Sequence, residues 1–389
     1  MRKTGRLFFA NPGPTNIPDS VLRAMDAQAV DFMEPAFLEL YLSCIDGLKR
    51  VLRTTDGTLF MYTASGHGAW EATLANLFSP GDTLLVVESG WFSEGWAAMA
   101  AKFGLHIRTV EADWRRGADP HALTAALRAD TGHAVKAVLA VHNETSTGMS
   151  LPLAEFRAAI DAAAHPALLC VDTISSLGSL PFHMDEWGID AVVGGSQKGL
   201  MLHTGFSFTA ASPRALKAHE SAGISRHYFD WSAMRQRPHG SFIGTVPVSL
   251  FFGLRESLRL IEEEGLDNVT ARHTRLAGAT RAAVRTWAAN DGPQFFCLNP
   301  ERLSDSVTAI TMPAGHNADA VRKTALDKLN VSFGGGLGKL GGQVLRIGHM
   351  GDLNEPMLLG TLGALELAFR MHNVPHGAGG VEAAIGALC

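Results

Sequence analysis

The sequence predicts an α/β fold, with a large domain on a mostly parallel sheet followed by a smaller C-terminal α+β domain. Three observations carry that prediction. First, short apolar runs recur with longer helix-period segments between them: Thr83-Leu84-Leu85-Val86-Val87, Ala137-Val138-Leu139-Ala140-Val141, Ala167-Leu168-Leu169-Cys170-Val171 and Asp190-Ala191-Val192-Val193. Second, each run is apolar at successive positions and therefore on both faces, as parallel strands sandwiched between helices must be. Strand and helix alternating in this way read as an open α/β sheet. Third, the pattern changes after Val248. Two long helical segments, Ser249 to Glu264 and about Val269 to Ala289, lead there to strand-like Ser306-Val307-Thr308-Ala309-Ile310 and Val344-Leu345-Arg346-Ile347.

A chain of 389 residues is too long for one small domain. The expected division is an N-terminal segment 1–20, a large domain 21–250 and a small domain 251–389. From Phe8 to Pro18 the chain is expected to be extended, because the prolines and glycine of Asn11-Pro12-Gly13-Pro14-Thr15-Asn16 suit neither a helix nor a central strand. A helix is expected from about Phe37 to Leu52. The Gly- and Ala-rich tail from His372 is expected to pack loosely.

Composition narrows the class. Hydrophobic residues make up 46% and charged residues 18%, which excludes a disordered chain. A net charge of −5 gives no general attraction to nucleic acid or to an anionic membrane. An anionic ligand must therefore be held by a local set of donors. Cys44, Cys170, Cys297 and Cys389 are far apart, with neither a disulfide framework nor metal-ligand spacing, so a reducing cytoplasm is the expected compartment and no metal is expected. The apolar stretch after the basic N-terminus stops at Asn11-Pro12, too early for a signal peptide, and no run is long enough to span a membrane. A soluble protein is the expectation.

Each apolar run ends in a polar cluster: Glu88-Ser89-Gly90, His142-Asn143-Glu144-Thr145, Asp172-Thr173 and Gly194-Gly195-Ser196-Gln197-Lys198. Ligands of open α/β sheets bind outside the carboxyl ends of strands, so these clusters are expected to converge on one crevice. Alone, Lys198 would read as a solvated loop lysine. Asp172, however, ends the preceding run, and a carboxylate there is nearly buried and needs a cationic or hydrogen-bonding partner. Upstream, Thr63-Ala64-Ser65-Gly66-His67-Gly68 places a small-residue turn directly before a helix, where backbone N–H groups and the Ser65 hydroxyl can hold a phosphate. A protonated pyridine nitrogen for Asp172, an aldehyde for Lys198 and a phosphate for Ser65 together describe pyridoxal 5′-phosphate (PLP).

These residues also carry a resemblance. Val171-Asp172-Thr173-Ile174-Ser175-Ser176-Leu177-Gly178, Met184-Asp185-Glu186-Trp187-Gly188-Ile189-Asp190 and Gly195-Ser196-Gln197-Lys198-Gly199 resemble class V aminotransferases, in the branch of the serine–, aspartate– and alanine–glyoxylate enzymes. Asn11-Pro12-Gly13-Pro14-Thr15-Asn16, His142-Asn143-Glu144-Thr145-Ser146-Thr147-Gly148 and Arg346-Ile347-Gly348-His349-Met350-Gly351 match in family order, so the resemblance covers nearly the whole chain. It implies the type I fold of PLP-dependent aminotransferases, with a mostly parallel sheet of the seven-stranded type, and an N-terminal segment that contributes to the active site. Lys198 would carry the cofactor as a Schiff base and move the proton, while Asp172 would pair with the pyridine nitrogen. Ser65, Gly66, His67 and Gln197 would hold the phosphate, joined by Thr245 from a partner subunit, which implies a homodimer with shared sites. Thr145 would approach the phenolic oxygen, and Phe92, with Trp91 as the neighbouring alternative, would lie over the ring. Arg346 would grip the substrate carboxylate, with Gly13 also meeting the substrate.

Three departures from the family pattern bear on substrate. Phe32-Met33-Glu34 stands where relatives carry His-Arg-Ser, His203-Thr204-Gly205 replaces Pro-Pro-Gly, and Phe242 replaces a tyrosine. The expected activity is transfer of an amino group from a small amino acid to a 2-oxo acid, glyoxylate foremost. The alternatives are ureidoglycine–glyoxylate, aminophosphonate–pyruvate or pyridoxamine–pyruvate exchange, and a non-catalytic binding module on the same scaffold. The module would have lost Lys198 or Asp172. No dinucleotide fingerprint or phosphate-binding Walker loop supports a nucleotide-binding protein.

Overall fold

The computed structural model describes residues 5–237 and 242–389. Along the chain the strands are β1 (Phe8–Ala10), β2 (Thr58–Tyr62), β3 (Thr83–Val87), β4 (His106–Val110), β5 (Val135–Val141), the short pair β6 (Asn143–Glu144) and β7 (Met149–Ser150), β8 (Leu168–Asp172), β9 (Ala191–Gly195) and β10 (Ser207–Ala211). After them come β11 (Gln294–Phe295), β12 (Val307–Thr311), β13 (Val331–Gly335) and β14 (Val344–Gly348).

Seven strands form the large sheet in the order β2-β10-β9-β8-β5-β3-β4. β10 runs antiparallel to both β2 and β9, and the remaining pairs are parallel. Of the parallel neighbours, β3 and β4 are joined through the helix Trp91–Lys102 and β5 and β8 through the helix Leu153–Ala162, because a parallel crossover has to travel the length of the sheet. β9 and β10 are joined without a helix, which allows the reversal. Alternate side chains enter opposite apolar layers. Leu85, Val138, Leu169 and Val192 point into one, with Leu48 and Phe251, and Leu84, Leu139, Cys170 and Val193 into the other, with Trp70 and Trp96. Each such fully buried aliphatic side chain contributes about 1.5–3 kcal/mol.

The four anticipated runs are β3, β5, β8 and β9. β2, β4 and β10 were not anticipated. β4 is a partly exposed edge strand (His106-Ile107-Arg108-Thr109-Val110), and β10 (Ser207-Phe208-Thr209-Ala210-Ala211) is buried throughout yet has no continuous β-branched run.

The second sheet has five strands in the order β1-β13-β14-β12-β11. β1 pairs in parallel with β13, so the N-terminal segment belongs at the edge of a sheet otherwise built from the last third of the chain. The helices Leu266–Trp287, Ala318–Leu329, Glu355–Met371 and Gly380–Leu388 share the apolar layer of this sheet. The last of them corrects the expectation of a loose tail. A Cβ on Gly380 would lie 2.0 Å from Trp287 Nε1, and Ala384 is fully buried. Small residues, which look uninformative in a sequence, here let one helix approach another closely.

Past β1 the N-terminal segment crosses towards the large sheet. A Cβ on Gly348, at the end of β14, would lie 2.4 Å from the Asn11 carbonyl, so a glycine there lets the segment pass. Among the described residues no helix is long and apolar enough to cross a membrane. Cys44, Cys170 and Cys297 are buried free thiols, and Cys389 is exposed.

Candidate active site

The carboxyl ends of β2, β5, β8 and β9 meet around a cavity of about 220 Å³. Asp172, Lys198, Gln197 and Thr145 line it from strand ends, and Ser65, Gly66 and His67 from the turn after β2. Phe92 and Gly13 complete the set of anticipated residues on its wall. A larger, open groove of about 1180 Å³ runs beside the N-terminal segment, lined by residues such as Arg6, His203, Glu263 and Arg272. Its volume is greater, but it gathers none of the strand-end acid, amine and amide groups that meet in the smaller cavity.

Asp172 is 4% exposed at the end of a strand buried throughout. Its Oδ1 accepts from Ile174 N at 2.7 Å and its Oδ2 from Trp70 Nε1 at 2.8 Å. Burial pushes its carboxyl up to about 7, against the pull of those two N–H groups and of the Lys198 charge. An acid so placed is ionised fully only when a cation arrives beside it.

The Lys198 ammonium donates to the Pro12 carbonyl, and the Lys198 carbonyl accepts from Thr15 Oγ1 at 3.1 Å. Burial, and then the Arg346 charge, push the amine down to about 8, partly offset by Asp172 and Glu144. Roughly a tenth of it is then neutral at pH 7, the form that can attack a carbonyl. Gly13 packs on this side chain: with φ +104°, a Cβ there would lie 2.3 Å from Lys198 Cδ. The N-terminal segment thus wraps the lysine, and any larger residue at position 13 would displace it.

The helix Gly66–Leu77 begins at Ser65, whose side chain makes no capping bond. Gly68 N donates to the Ser65 carbonyl at 2.9 Å, and the Ser65 hydroxyl with the N–H groups of Gly66 and His67 faces an anion at the positive end of the helix. Gln197 Oε1 is buried without a partner, and Thr204 adds a hydroxyl to the same wall. Burial pushes the His67 imidazole down, which favours its neutral form.

Phe92, not Trp91, faces the cavity. Trp91 is 43% exposed and its ring lies against the backbone at Gly338. Arg346, on β14, lies behind the lining. Its Nε donates to the Gly335 carbonyl at 2.6 Å and its Nη1 to the Thr145 carbonyl at 3.2 Å. Burial lowers its guanidinium to about 10, and Glu144 counters that effect. Thr245 is exposed and does not line its own chain's cavity.

Among the lining residues that the sequence does not assign to the site, two carry polar groups at its centre, Trp70 and Asn143. Trp70 supplies the donor to Asp172, and its ring stacks on Trp96 at 5.7 Å. Asn143 donates to the Ser175 carbonyl at 3.1 Å and to Ser306 Oγ at 2.7 Å, leaving its Oδ1 buried without a partner. A buried carboxylate needs donors, and a tryptophan one turn into the phosphate-side helix was the available signal. Asn143 was visible only as part of a polar strand end. Of the three departures, Phe242 is 3% exposed and packs edge-on against Phe251 at 5.7 Å, in the core instead of the cavity. Phe32, Met33 and Glu34 do not line the cavity, and His203 lies on the open groove.

Trp70→Phe keeps the ring but removes the N–H. One Asp172 oxygen then loses its donor, and unfolding in urea should show a loss of about 1–3 kcal/mol. A variant as stable as the parent would mean that this hydrogen bond is replaced or unimportant.

A family model for class-V aminotransferases matches residues 7–337. The chain belongs to this family. A serine–glyoxylate aminotransferase of Methylorubrum extorquens is 45% identical, over 94% of this chain and 92% of that protein. An L-aspartate–glyoxylate aminotransferase of Paracoccus denitrificans is 42% identical, over 94% and 91%. Among solved structures, a ureidoglycine–glyoxylate aminotransferase of Bacillus subtilis superposes with a TM-score of 0.90 at 26% identity, covering 99% of each chain.

This class-V aminotransferase uses PLP, and the residues present fit the cofactor. The cavity holds a buried carboxylate for a ring nitrogen, an amine of lowered basicity and a helix N-terminus without a side-chain cap, with the Ser65 and Thr204 hydroxyls on the same wall as donors. A Cβ on Gly66 would lie 2.2 Å from Ile174 Cδ1, so this first residue of the helix stays bare where the phosphate would approach.

Proposed function

We propose that this enzyme moves an amino group from a small amino acid of the serine, aspartate or alanine type to a 2-oxo acid, with glyoxylate as the leading acceptor. The observation that carries the reading is the Lys198 amine and the Asp172 carboxyl on the wall of one cavity, at the ends of neighbouring strands. The names of the relatives, serine–glyoxylate and L-aspartate–glyoxylate aminotransferase, support the substrate pair.

Bound PLP supplies an electron sink that stabilises negative charge at the substrate α-carbon. Asp172 would hold its ring nitrogen protonated, and Ser65, the first N–H groups of the helix Gly66–Leu77 and Gln197 would hold its phosphate. Phe92 covers the ring side of the cavity, and Thr145 and Asn143 Oδ1 offer polar contacts at its edge. Lys198 would hold the cofactor covalently, and its Nζ, when free, would carry the proton of the substrate α-carbon. Arg346 turns its guanidinium to the substrate carboxylate, a bidentate partner that arginine fits. Gly13 leaves room beside Lys198 for the substrate. The intact phosphate-side residues argue against free pyridoxamine as the substrate.

The active unit in this proposal is a cytoplasmic homodimer. Thr245, exposed on its own chain, reaches the partner's phosphate site, and Leu38 and Leu42, 39% and 49% exposed on one face of the helix Pro35–Leu52, lie in the contact. The test is an absorbance titration of the purified protein with a panel of amino donors. A visible band that is lost with one donor and restored by glyoxylate establishes the reaction and names the donor. If no donor moves the band, the transaminase reading fails. Arg346→Lys should raise the KM for the amino donor by about tenfold to a hundredfold, because one point charge replaces a two-pronged donor. An unchanged KM would remove Arg346 from substrate binding.

A further inference from the structure

The helix Trp91–Lys102 begins after Gly90, which has no side chain to cap it. Its first three N–H groups are nonetheless all satisfied, and by a single loop. Trp91 N donates to Ser146 Oγ at 3.0 Å, Phe92 N to Glu144 Oε2 at 3.0 Å and Ser93 N to the same oxygen at 3.3 Å. The other oxygen of Glu144 accepts from Ser146 N at 3.0 Å and Ser146 Oγ at 2.6 Å. Glu144 is fully buried, and its carboxylate accepts all four donors. Gly90 makes the room: a Cβ there would lie 2.5 Å from both Glu144 Cγ and Ser146 Oγ.

The residue between Glu144 and Ser146 is Thr145. It lines the cavity, and its carbonyl accepts from Arg346 Nη1. One loop therefore fixes the backbone of Phe92 on one side and a contact of Arg346 on the other. Resting on the roles given above to Phe92 and Arg346, we propose that Glu144 is a positioning residue for the reaction, which sets the Phe92 ring against the cofactor and, through Thr145, the Arg346 guanidinium against the substrate carboxylate. A negative charge suits the place. The helix N-terminus is positive, the four donors replace water, and the charge favours the cationic form of Arg346. Burial pushes the Glu144 carboxyl up from its ordinary range, and the hydrogen bonds from Ser146, Ser93 and Phe92 pull it back.

Substitution by glutamine separates the two sides. An amide has one accepting oxygen. If that oxygen stays on Phe92 N and Ser93 N, the amide NH₂ faces Ser146 N, donor against donor, and the Thr145 side loosens. Glu144→Gln should then raise the KM for the amino donor about tenfold while the PLP dissociation constant of the dialysed protein, read by tryptophan fluorescence, stays within about threefold. Glu144→Ala removes both sides, and both constants should rise by about tenfold or more. If both variants lose thermal stability while both constants stay at parent values, Glu144 is only a structural cap and the proposal is overturned. Should they fail to fold, Ser146→Ala removes one donor and one acceptor of the same cluster. It should move both constants by a smaller factor, and unchanged constants would overturn the proposal. If Arg346→Lys leaves the KM unaltered, the role given to Arg346 has failed instead. PLP binding by Glu144→Ala then decides the Glu144 proposal alone.

Discussion

Lys198→Ala should abolish transamination, lowering kcat by more than about 10⁴-fold, the upper end of what a positioned proton carrier supplies, since this lysine also holds the cofactor. The protein should still fold. The substitution removes a desolvated ammonium and leaves the Pro12 carbonyl without a donor, opposing effects that should keep stability within about 1 kcal/mol of the parent. PLP should still bind through the phosphate-side residues, and more weakly. Single-turnover absorbance with amino donor measures the chemical step, and thermal unfolding monitored by circular dichroism controls for folding. A variant that turned over donor at a tenth of the parent rate would move the proton-carrying role to another residue.

Asp172→Asn should lower kcat by at least about a hundredfold, equivalent to ~3 kcal/mol, because an amide cannot supply the negative charge that keeps a ring nitrogen protonated. The amide also turns a donor towards Trp70 Nε1 or Ile174 N, so one of those two hydrogen bonds is lost. The same variant tests the electrostatics of the apoprotein. Burial raises the Asp172 carboxyl from 3.8 to about 7, so the folded state binds its proton more tightly than the unfolded state. Its favourable contribution is therefore complete below about pH 4 and is lost as pH rises to about 7. Lys198, lowered from 10.5 to about 8, acts in a separate window: the cost of its buried charge is relieved as pH rises from about 8 towards 10.5. Urea unfolding of the apoprotein across pH should show the first slope in the parent and not in Asp172→Asn. A slope retained in the variant would assign it to another acid.

The site was legible wherever its chemistry sits at the end of an apolar run. Asp172 closes a strand, Lys198 follows the end of the next one and Ser65 precedes a helix, so their neighbours in sequence are enough to place them on one edge of a parallel sheet. Trp70 could not be paired with Asp172 in this way, because the two are 102 residues apart and meet only when a helix folds back over the sheet. Glu144 looked like one polar residue among several. Its function as the cap of another helix depends on Gly90, and neither residue announces the other. Trp91 and Phe92 were alternatives in the sequence. The start of their helix turns one ring to the cavity and the other to the Gly338 loop.

By itself the sequence determined the architecture of the central strands, the strand-end location of the acid and the amine, and the family. Periodicity and burial are properties of contiguous residues, and they survive being read along a line. Only the tertiary structure decided that β1 joins the second sheet, that the Gly- and Ala-rich tail packs as a helix on Trp287, and that the segment around Gly13 wraps Lys198. Those outcomes depend on close approach between distant backbones, which small residues permit but do not specify. The basicity of the two central groups belongs here too. Burial drives Asp172 up and Lys198 down, and burial exists only once the sheet, the helices and the N-terminal segment have closed around them.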